Sequence, residues 1–231
     1  ALLLTMRIFQ GIGLGGEWGG AVLMAYEYAP PSRRGFYTSI PQMGLSIGIL
    51  LSAGTLAVLS AIMSNDAFMS WGWRIGFLLS VLLIFVGMWI RLQIFETPAF
   101  SQIKASHEQA PLPIVEMFRR HMGNVVLGLG ARHVDGVFFN VFAVFSVSYL
   151  VDKIGITRND ALVALMVGAA VLTICIPIAG HLSDKMSRPK LYGIAALVSS
   201  VSIFPAFWLM KNSDGNLTAI WAAIVIPYGI I

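Results

Sequence analysis

The chain has 231 residues, of which 57% are hydrophobic and only 11% are Asp, Glu, Lys or Arg. A soluble domain carries about 25% charged residues, so this chain has too few polar side chains to cover a surface that faces water. Its formal net charge of +4 comes from basic residues scattered at the ends of apolar segments. That distribution lacks the basic stripe of a nucleic-acid-binding protein, and the composition predicts an integral membrane protein.

Long apolar runs without strand-like alternation predict transmembrane helices. A helix needs about 20 apolar residues to cross a hydrocarbon core of about 30 Å. We predict six complete spans and part of a seventh, at about residues 1–28, 40–63, 73–95, 122–151, 161–180, 190–210 and from 217 onward. The expected fold class is an all-α polytopic membrane protein. Because both ends of the sequence lie within apolar runs, we expect it to be a fragment.

The connections between these spans form two alternating sets that differ in basic residues. One set holds nine: Arg33, Arg34, Arg91, Lys104, Arg119, Arg120, Lys185, Arg188 and Lys190. The other holds four: Arg74, Lys153, Arg158 and Lys211. Cytoplasmic loops are enriched in Lys and Arg, so the first set marks the cytoplasmic side. The longest polar stretch, Glu96 to His121, is then a cytoplasmic linker between two helical bundles. Its segment PIVEMFRR is either a short amphipathic piece on the membrane surface or part of a disordered linker.

Charged side chains inside the predicted spans are the strongest candidates for function. They are Arg7 and Glu17 in the first span and Arg132 and Asp135 in the fourth, with His133 between the last two. A charge near the bilayer centre costs about 2.5–3.5 kcal/mol on insertion scales, so it usually has a partner or a role. Arg132 and Asp135 are three residues apart and share a helical face. They form either a structural ion pair or the lining of a polar cavity, and Asn140 either extends that lining or bonds a neighbouring helix.

Metal and enzyme chemistry have little support in the sequence. The histidines lie far apart without metal-ligand spacing, and the single cysteine, Cys175, sits in an apolar run. We expect no metal and no cofactor. A membrane-embedded enzyme or scaffold subunit is an alternative of another class, but it would need a reactive cluster near an interface, and the sequence has none.

Two runs resemble motifs of the major facilitator superfamily of secondary transporters. The first, RIFQGIGLG from Arg7 to Gly15, is similar to the R-x-x-Q-G-x-G motif of the fourth helix, whose arginine is generally linked to proton coupling. The second, GHLSDKMSRPK from Gly180 to Lys190, is similar to the G-x-L-A-D-R-x-G-R-R loop between helices eight and nine. In it, Ser187 and Pro189 replace the usual glycine and a basic residue. The runs GGEWGGAV, GFY, SWGWR and FETP resemble the metabolite:proton symporter family, whose members move shikimate, 2-oxoglutarate, citrate, or proline and betaine.

The resemblance implies a partial major facilitator superfamily fold that comprises helices four to nine and the start of helix ten. Residues 1–95 become the last three helices of the N-terminal half, 96–121 the cytoplasmic loop between the halves, and 122–231 the first helices of the C-terminal half. In such folds two halves rock about a midplane site. The resemblance also implies a monomeric, multi-pass protein of the bacterial inner membrane that is not an enzyme.

The function expected from these observations is proton-coupled symport of a small organic acid or zwitterion by alternating access. Arg132 is the candidate cavity cation, and Arg7, with Gln10 in the same motif, is a candidate for coupling or gating. Glu17 and Asp135 are the candidate protonation sites, because a desolvated carboxylate takes up a proton more readily. Glu17 is equally well explained as the fixed partner of an arginine on a neighbouring helix. His133 and Asn140 complete the predicted pathway.

The rival with the same fold is an uncoupled facilitator or an antiporter. The second span lacks the G-x-x-x-G-P-x-x-G-G pattern associated with drug and proton antiporters and has Pro41 to Gly48 instead, which favours symport. Within the loop motif, Gly180, Asp184, Lys185 and Arg188 are candidates for a cytoplasmic gate latch in which Asp184 is an acceptor near the start of the next helix. The alternative is that the basic residues only set topology, which leaves Asp184 unexplained.

Overall fold

The protein is described here by a computed structural model that covers residues 2–93, 101, 113–213 and 215–230. In these ranges the chain is helical and contains no strand, which confirms the predicted all-α class. The helices are α1 (Leu2–Tyr28), α2 (Arg34–Ile62), α3 (Asn65–Gln93), α4 (Pro113–Arg120), α5 (Met122–Ile154), α6 (Arg158–Lys185), α7 (Arg188–Lys211) and α8 (Leu217–Ile230). A 3₁₀ turn, Pro31–Arg33, joins α1 to α2.

Five of these helices, α2, α3, α5, α6 and α7, are long and apolar enough to cross a membrane. Helix α1 has 27 residues and therefore sufficient length, but Arg7, Gln10 and Glu17 make it less apolar. Helix α8 is a shorter apolar helix. The helices extend past the apolar runs, so that α6 ends at Lys185 rather than near residue 180. Of the predicted linker at 96–121, the structure describes Ser101 and the residues from 113 on; the rest of the linker and the whole FETP run lie outside the described residues.

The turn between α5 and α6 shows how local sequence ends one helix and starts the next. Gly155 follows α5 with a φ of 81°, a left-handed conformation that glycine adopts without strain. The Thr157 hydroxyl oxygen accepts a hydrogen bond from the Asp160 backbone N–H at 3.1 Å, and the hydroxyl donates to the Asp160 carboxylate at 2.6 Å. This N-cap satisfies a backbone donor that the first turn of α6 leaves without a helical partner.

Helices α5 to α8 share a packed core that comes entirely from residues after the linker. Phe142 and Leu150 of α5, Met210 of α7 and Tyr228 of α8 are fully buried. Rings of Phe138 and Phe142 lie 4.7 Å apart at their centroids. In lipid such contacts stabilise by close packing rather than by removing apolar surface from water. The second half of the chain is therefore a compact bundle to which α2 is attached along α6, the most extensive interface between two helices.

Helix α3 presents apolar side chains outward along its length. None of its most apolar 18-residue window is buried, and the exposed fractions of Leu78, Phe85 and Trp89 are 67%, 69% and 65%. Exposed apolar surface costs about 25 cal/mol per Å² in water, so a helix of this kind is stable where its surroundings are as apolar as itself. The arrangement agrees with the predicted membrane location.

Gly11, Gly15 and Gly19 repeat at every fourth position of α1, a pattern that predicts close packing against another helix, but the close helix contacts occur at other glycines. Within the described residues, no atom lies within 4 Å of a Cβ built at Gly11, Gly15 or Gly19. A Cβ at Gly180 of α6, in contrast, would lie 2.7 Å from the Ser39 Cβ and 2.8 Å from the Gly35 carbonyl oxygen of α2. Glycine is therefore required where α2 and α6 meet at their cytoplasmic ends.

Candidate functional site

A cavity of about 650 Å³ lies between α5 and α7, and Trp18 of α1 also lines it. Arg132, His133 and Asp135 of α5 face this cavity. Arg132 and Asp135 form the ion pair expected from their spacing, and their side chains are 51% and 26% exposed. The structure therefore brings three of the predicted pathway residues together at one cavity, in the first half of α5.

Three contacts fix the walls of this cavity. The Tyr192 hydroxyl of α7 donates to the Ala131 carbonyl of α5 at 2.7 Å, which holds these helices together beside Arg132. The Arg132 guanidinium lies over the Trp18 ring, with its Cζ 4.9 Å from the ring centroid. The Trp18 indole N–H in turn donates to the Gln42 side-chain oxygen of α2 at 3.0 Å. Residues from both sides of the linker thus surround the ion pair.

The remaining predicted pathway residues lie elsewhere. Asn140 lines a second depression on α5 with Gly136 and His133, and its side-chain amide donates to the Gly136 carbonyl at 2.8 Å. Arg7 donates to the Gln10 side-chain oxygen at 3.0 Å on the exposed surface of α1. Glu17 is also exposed and does not line the cavity of Arg132. In the described residues, His133 and Val137 line both the Asn140 depression and the cavity of the ion pair.

The ion pair gives the cavity a defined chemistry. A guanidinium presents a planar fork of donors that matches a carboxylate, and it stays charged at any physiological pH. A carboxylate paired with it is charged, but protonation removes that charge and leaves the cation for another partner.

A second group of predicted residues lies where the start of α2 meets the end of α6. The two Asp184 carboxylate oxygens accept hydrogen bonds from the backbone N–H groups of Gly35 at 2.6 Å and Phe36 at 3.0 Å. These donors belong to the first turn of α2, where a helix leaves its N–H groups without partners and carries partial positive charge. The sequence placed Asp184 beside the start of α7; in the structure its bonds go to α2, which lies before the linker.

Two arginine side chains near this contact lie over the same aromatic ring, that of Tyr26. The Arg34 guanidinium lies 4.4 Å from the centroid of the Tyr26 ring and donates to the Tyr26 hydroxyl at 3.1 Å. The Arg188 guanidinium lies 6.0 Å from the same centroid. Lys185, the last residue of α6, is exposed. Arg34, Lys185 and Arg188, three of the residues assigned to the cytoplasmic side, thus lie near one another where α1 meets α2 and α6 meets α7.

Several residues in these contacts were not singled out in the sequence as site residues. Tyr26 accepts a hydrogen bond from Arg34, Gln42 accepts one from Trp18, and Tyr192 joins α7 to α5. In the middle of the interface between α2 and α6, the Thr173 hydroxyl donates to the Ser46 hydroxyl at 2.8 Å. Small hydroxyl side chains within apolar spans often form hydrogen bonds between helices. Ser46 and Thr173 are residues of this kind, so the sequence marked both as candidates for such a bond. Nothing in the sequence pointed to Gln42.

A sequence profile of the Major Facilitator Superfamily matches residues 1–231, the whole chain. The chain belongs to the Major Facilitator Superfamily. It is similar to the inner membrane metabolite transport protein YhjE of Escherichia coli K12, with 34% identity across 100% of this chain and 53% of that protein. It is also similar to the shikimate transporter (34% identity, 91% of this chain, 48% of the relative) and the alpha-ketoglutarate permease (31% identity, 98% and 52%) of the same organism.

The chain spans about half the length of the curated relatives it matches. No solved structure matches it. The superfamily and the named relatives are transporters, which confirms the prediction that the chain is not an enzyme. The membrane-spanning helices and the relative in the inner membrane also confirm a multi-pass protein of the bacterial inner membrane. The partial superfamily fold expected from the two motifs is correct.

Proposed function

We propose that the full-length protein is a secondary active transporter that carries a small organic acid or zwitterionic metabolite together with a proton. The observation that carries this proposal is the Arg132–Asp135 ion pair in a cavity lined by helices from both sides of the linker. The names of the relatives, which include a shikimate transporter and an alpha-ketoglutarate permease, support the class of cargo.

The ion pair suggests how proton and cargo are coupled. A proton that binds Asp135 neutralises its carboxylate, so Arg132 loses its internal partner and is free to bind the carboxylate of the cargo. When the proton leaves, Asp135 competes for the guanidinium again and the cargo is released. The proton gradient is then the source of energy, and no cofactor takes part.

Alternating access requires that the two halves separate on one side at a time. In the described arrangement Asp184 holds the cytoplasmic ends of α2 and α6 together. We assign this arrangement to a state that is closed toward the cytoplasm. Opening on that side then breaks both Asp184 hydrogen bonds, while the cavity around Arg132 alternates between the two sides of the membrane.

Uptake by the full-length protein in proteoliposomes tests this proposal. Radiolabelled shikimate, 2-oxoglutarate and glycine betaine are offered under an imposed inward proton gradient, with and without an uncoupler. We expect at least one of them to accumulate, and we expect the uncoupler to abolish accumulation. Uptake of a substrate that only equilibrates and ignores the uncoupler would identify an uncoupled facilitator and contradict proton coupling.

The same assay tests Arg132 as the cation that binds the cargo. Arg132→Gln removes the charge, and we expect uptake to fall at least about tenfold, because a charge-assisted bond contributes about 1.5–3 kcal/mol. Arg158→Gln serves as the matched control, because Arg158 is exposed at the start of α6, away from the cavity. Equal uptake by the Arg132→Gln variant and the control would exclude Arg132 from this role.

A further inference from the structure

We infer that Trp18 and Gln42 are positioning residues for Arg132, which they hold in the orientation that binds a cargo carboxylate once Asp135 is protonated. This inference rests on the proposed function, and it adds to that function a link between the cavity cation and the helices before the linker. The residues form a chain from α2 through α1 to α5: Gln42, Trp18 and Arg132.

The geometry of this chain is specific. Gln42 accepts the indole N–H of Trp18 at 3.0 Å, and this bond fixes the plane of the ring. The Arg132 Cζ then lies 4.9 Å from the ring centroid, within the range at which a guanidinium is attracted by an aromatic face. Among the described residues the backbones of α1 and α5 barely approach one another, so the side chains themselves span the space between the helices.

The ring contact matters most when Asp135 carries a proton. While Asp135 is charged, the carboxylate holds the guanidinium on α5. After protonation that attraction is lost, and an arginine side chain with many rotamers would move freely. The face of the Trp18 ring attracts the guanidinium of Arg132. This attraction does not use the guanidinium N–H groups as hydrogen-bond donors, so they remain available to a cargo carboxylate. Trp18 therefore pre-organises the cation and lowers the entropy lost on binding.

Removal of the ring should lower cargo affinity without slowing the transport cycle. For Trp18→Leu in the full-length protein we expect KM to rise about three- to tenfold, which corresponds to the loss of one cation–π contact, while the maximal rate stays within about twofold of the wild-type rate. Trp18→Phe keeps a ring and should restore part of the affinity.

Gln42→Leu tests the other end of the chain. It removes the acceptor for the indole N–H, and we expect a smaller rise in KM, because the ring remains but is less firmly oriented. Trp89→Leu is the matched control, since Trp89 is an exposed tryptophan on the apolar surface of α3, and it should leave KM unchanged. Trp18→Leu protein that folds and transports with the wild-type KM would overturn the inference while leaving the proposed function intact.

A measurement without cargo separates the contact from transport. Thermal unfolding of Trp18→Leu, Arg132→Gln and the double variant forms a double-mutant cycle. We expect the double variant to lose less stability than the sum of the single losses, because both single changes remove the same contact. Additive losses would overturn the inference even if uptake is altered. Wild-type protein that takes up none of the three substrates would instead count against the proposed function, and the cycle would still decide the contact.

Discussion

Asp184 is the residue whose role follows most directly from its bonds. Both carboxylate oxygens accept N–H groups at the start of α2, so one side chain of α6 caps a helix that lies about 150 positions earlier in the chain. N-cap interactions contribute about 0.5–2 kcal/mol, and the positive end of α2 favours the negative charge. A single substitution therefore affects the stability of one conformational state of the protein.

Asp184→Ala should increase the population of full-length protein that is open to the cytoplasm by about fivefold, since it removes about 1 kcal/mol from the closed state. Asp184→Asn should have a smaller effect, because the amide keeps one acceptor oxygen. The measurement is the distance between spin labels on cysteines introduced at the exposed positions Tyr37 and Leu182, in a background without other cysteines. Asp152→Asn, at the opposite end of the helices, is the control. An unchanged distance distribution in Asp184→Ala would show that this contact does not act as a latch.

The α2–α6 interface has a tight cytoplasmic end and a looser opposite end, and substitutions to alanine should distinguish them. A Cβ at Gly180 would lie under 3.0 Å from backbone and Cβ atoms of α2, whereas a Cβ at Gly54 would lie 3.6 Å from the flexible end of Met166. Gly180→Ala should therefore force α2 and α6 apart and lengthen the distance between the labels at Tyr37 and Leu182. Gly54→Ala, the same change on the same interface, should leave it unaltered, and equal behaviour of the two variants would contradict this account.

The hydrogen bond between Thr173 and Ser46 is the polar contact in the middle of the same interface. Thr173→Val keeps the shape of the side chain but removes the donor, and hydrogen bonds between membrane helices contribute about 0.6 kcal/mol on average. We expect a small loss of stability, measured as a lower midpoint of thermal unfolding. Ser60→Ala is the control, because the Ser60 hydroxyl donates only to the Ala57 carbonyl of its own helix. A loss no larger than that of Ser60→Ala would show that the bond does not stabilise the interface.

At the scale of the whole molecule, the structural features that the sequence predicted are those that depend on residues close together in the chain. Five of the six complete spans were predicted correctly, because helix length and apolarity are local properties, but α2 and α3 begin at Arg34 and Asn65, before the predicted starts near 40 and 73. The Arg132–Asp135 pair followed from a spacing of three residues on one helix. The amphipathic segment from Pro113 to Arg120, for which a disordered linker was the alternative, is helical, with Arg120 paired to Glu116 at 3.1 Å.

Contacts between helices that are far apart in the sequence could not be predicted from the sequence. The bonds of Asp184 to α2, of Gln42 to Trp18 and of Thr173 to Ser46 depend on which helices become neighbours and at what register. Those relations arise from the packing of the whole bundle. The separation of Asn140 from the ion pair has the same origin, since the orientation of α5 against α7 decides which side of the helix the cavity occupies.

The most direct test of the central claim is a comparison of exchange with accumulation in full-length Asp135→Asn protein. Asparagine does not take up a proton at physiological pH, so position 135 stays uncharged throughout, as it is in protonated Asp135, while Arg132 keeps its charge. The account predicts that the variant exchanges labelled for unlabelled cargo across the proteoliposome membrane but does not accumulate cargo when a proton gradient is applied. Accumulation at the wild-type level would contradict the claim that Asp135 couples cargo movement to protons.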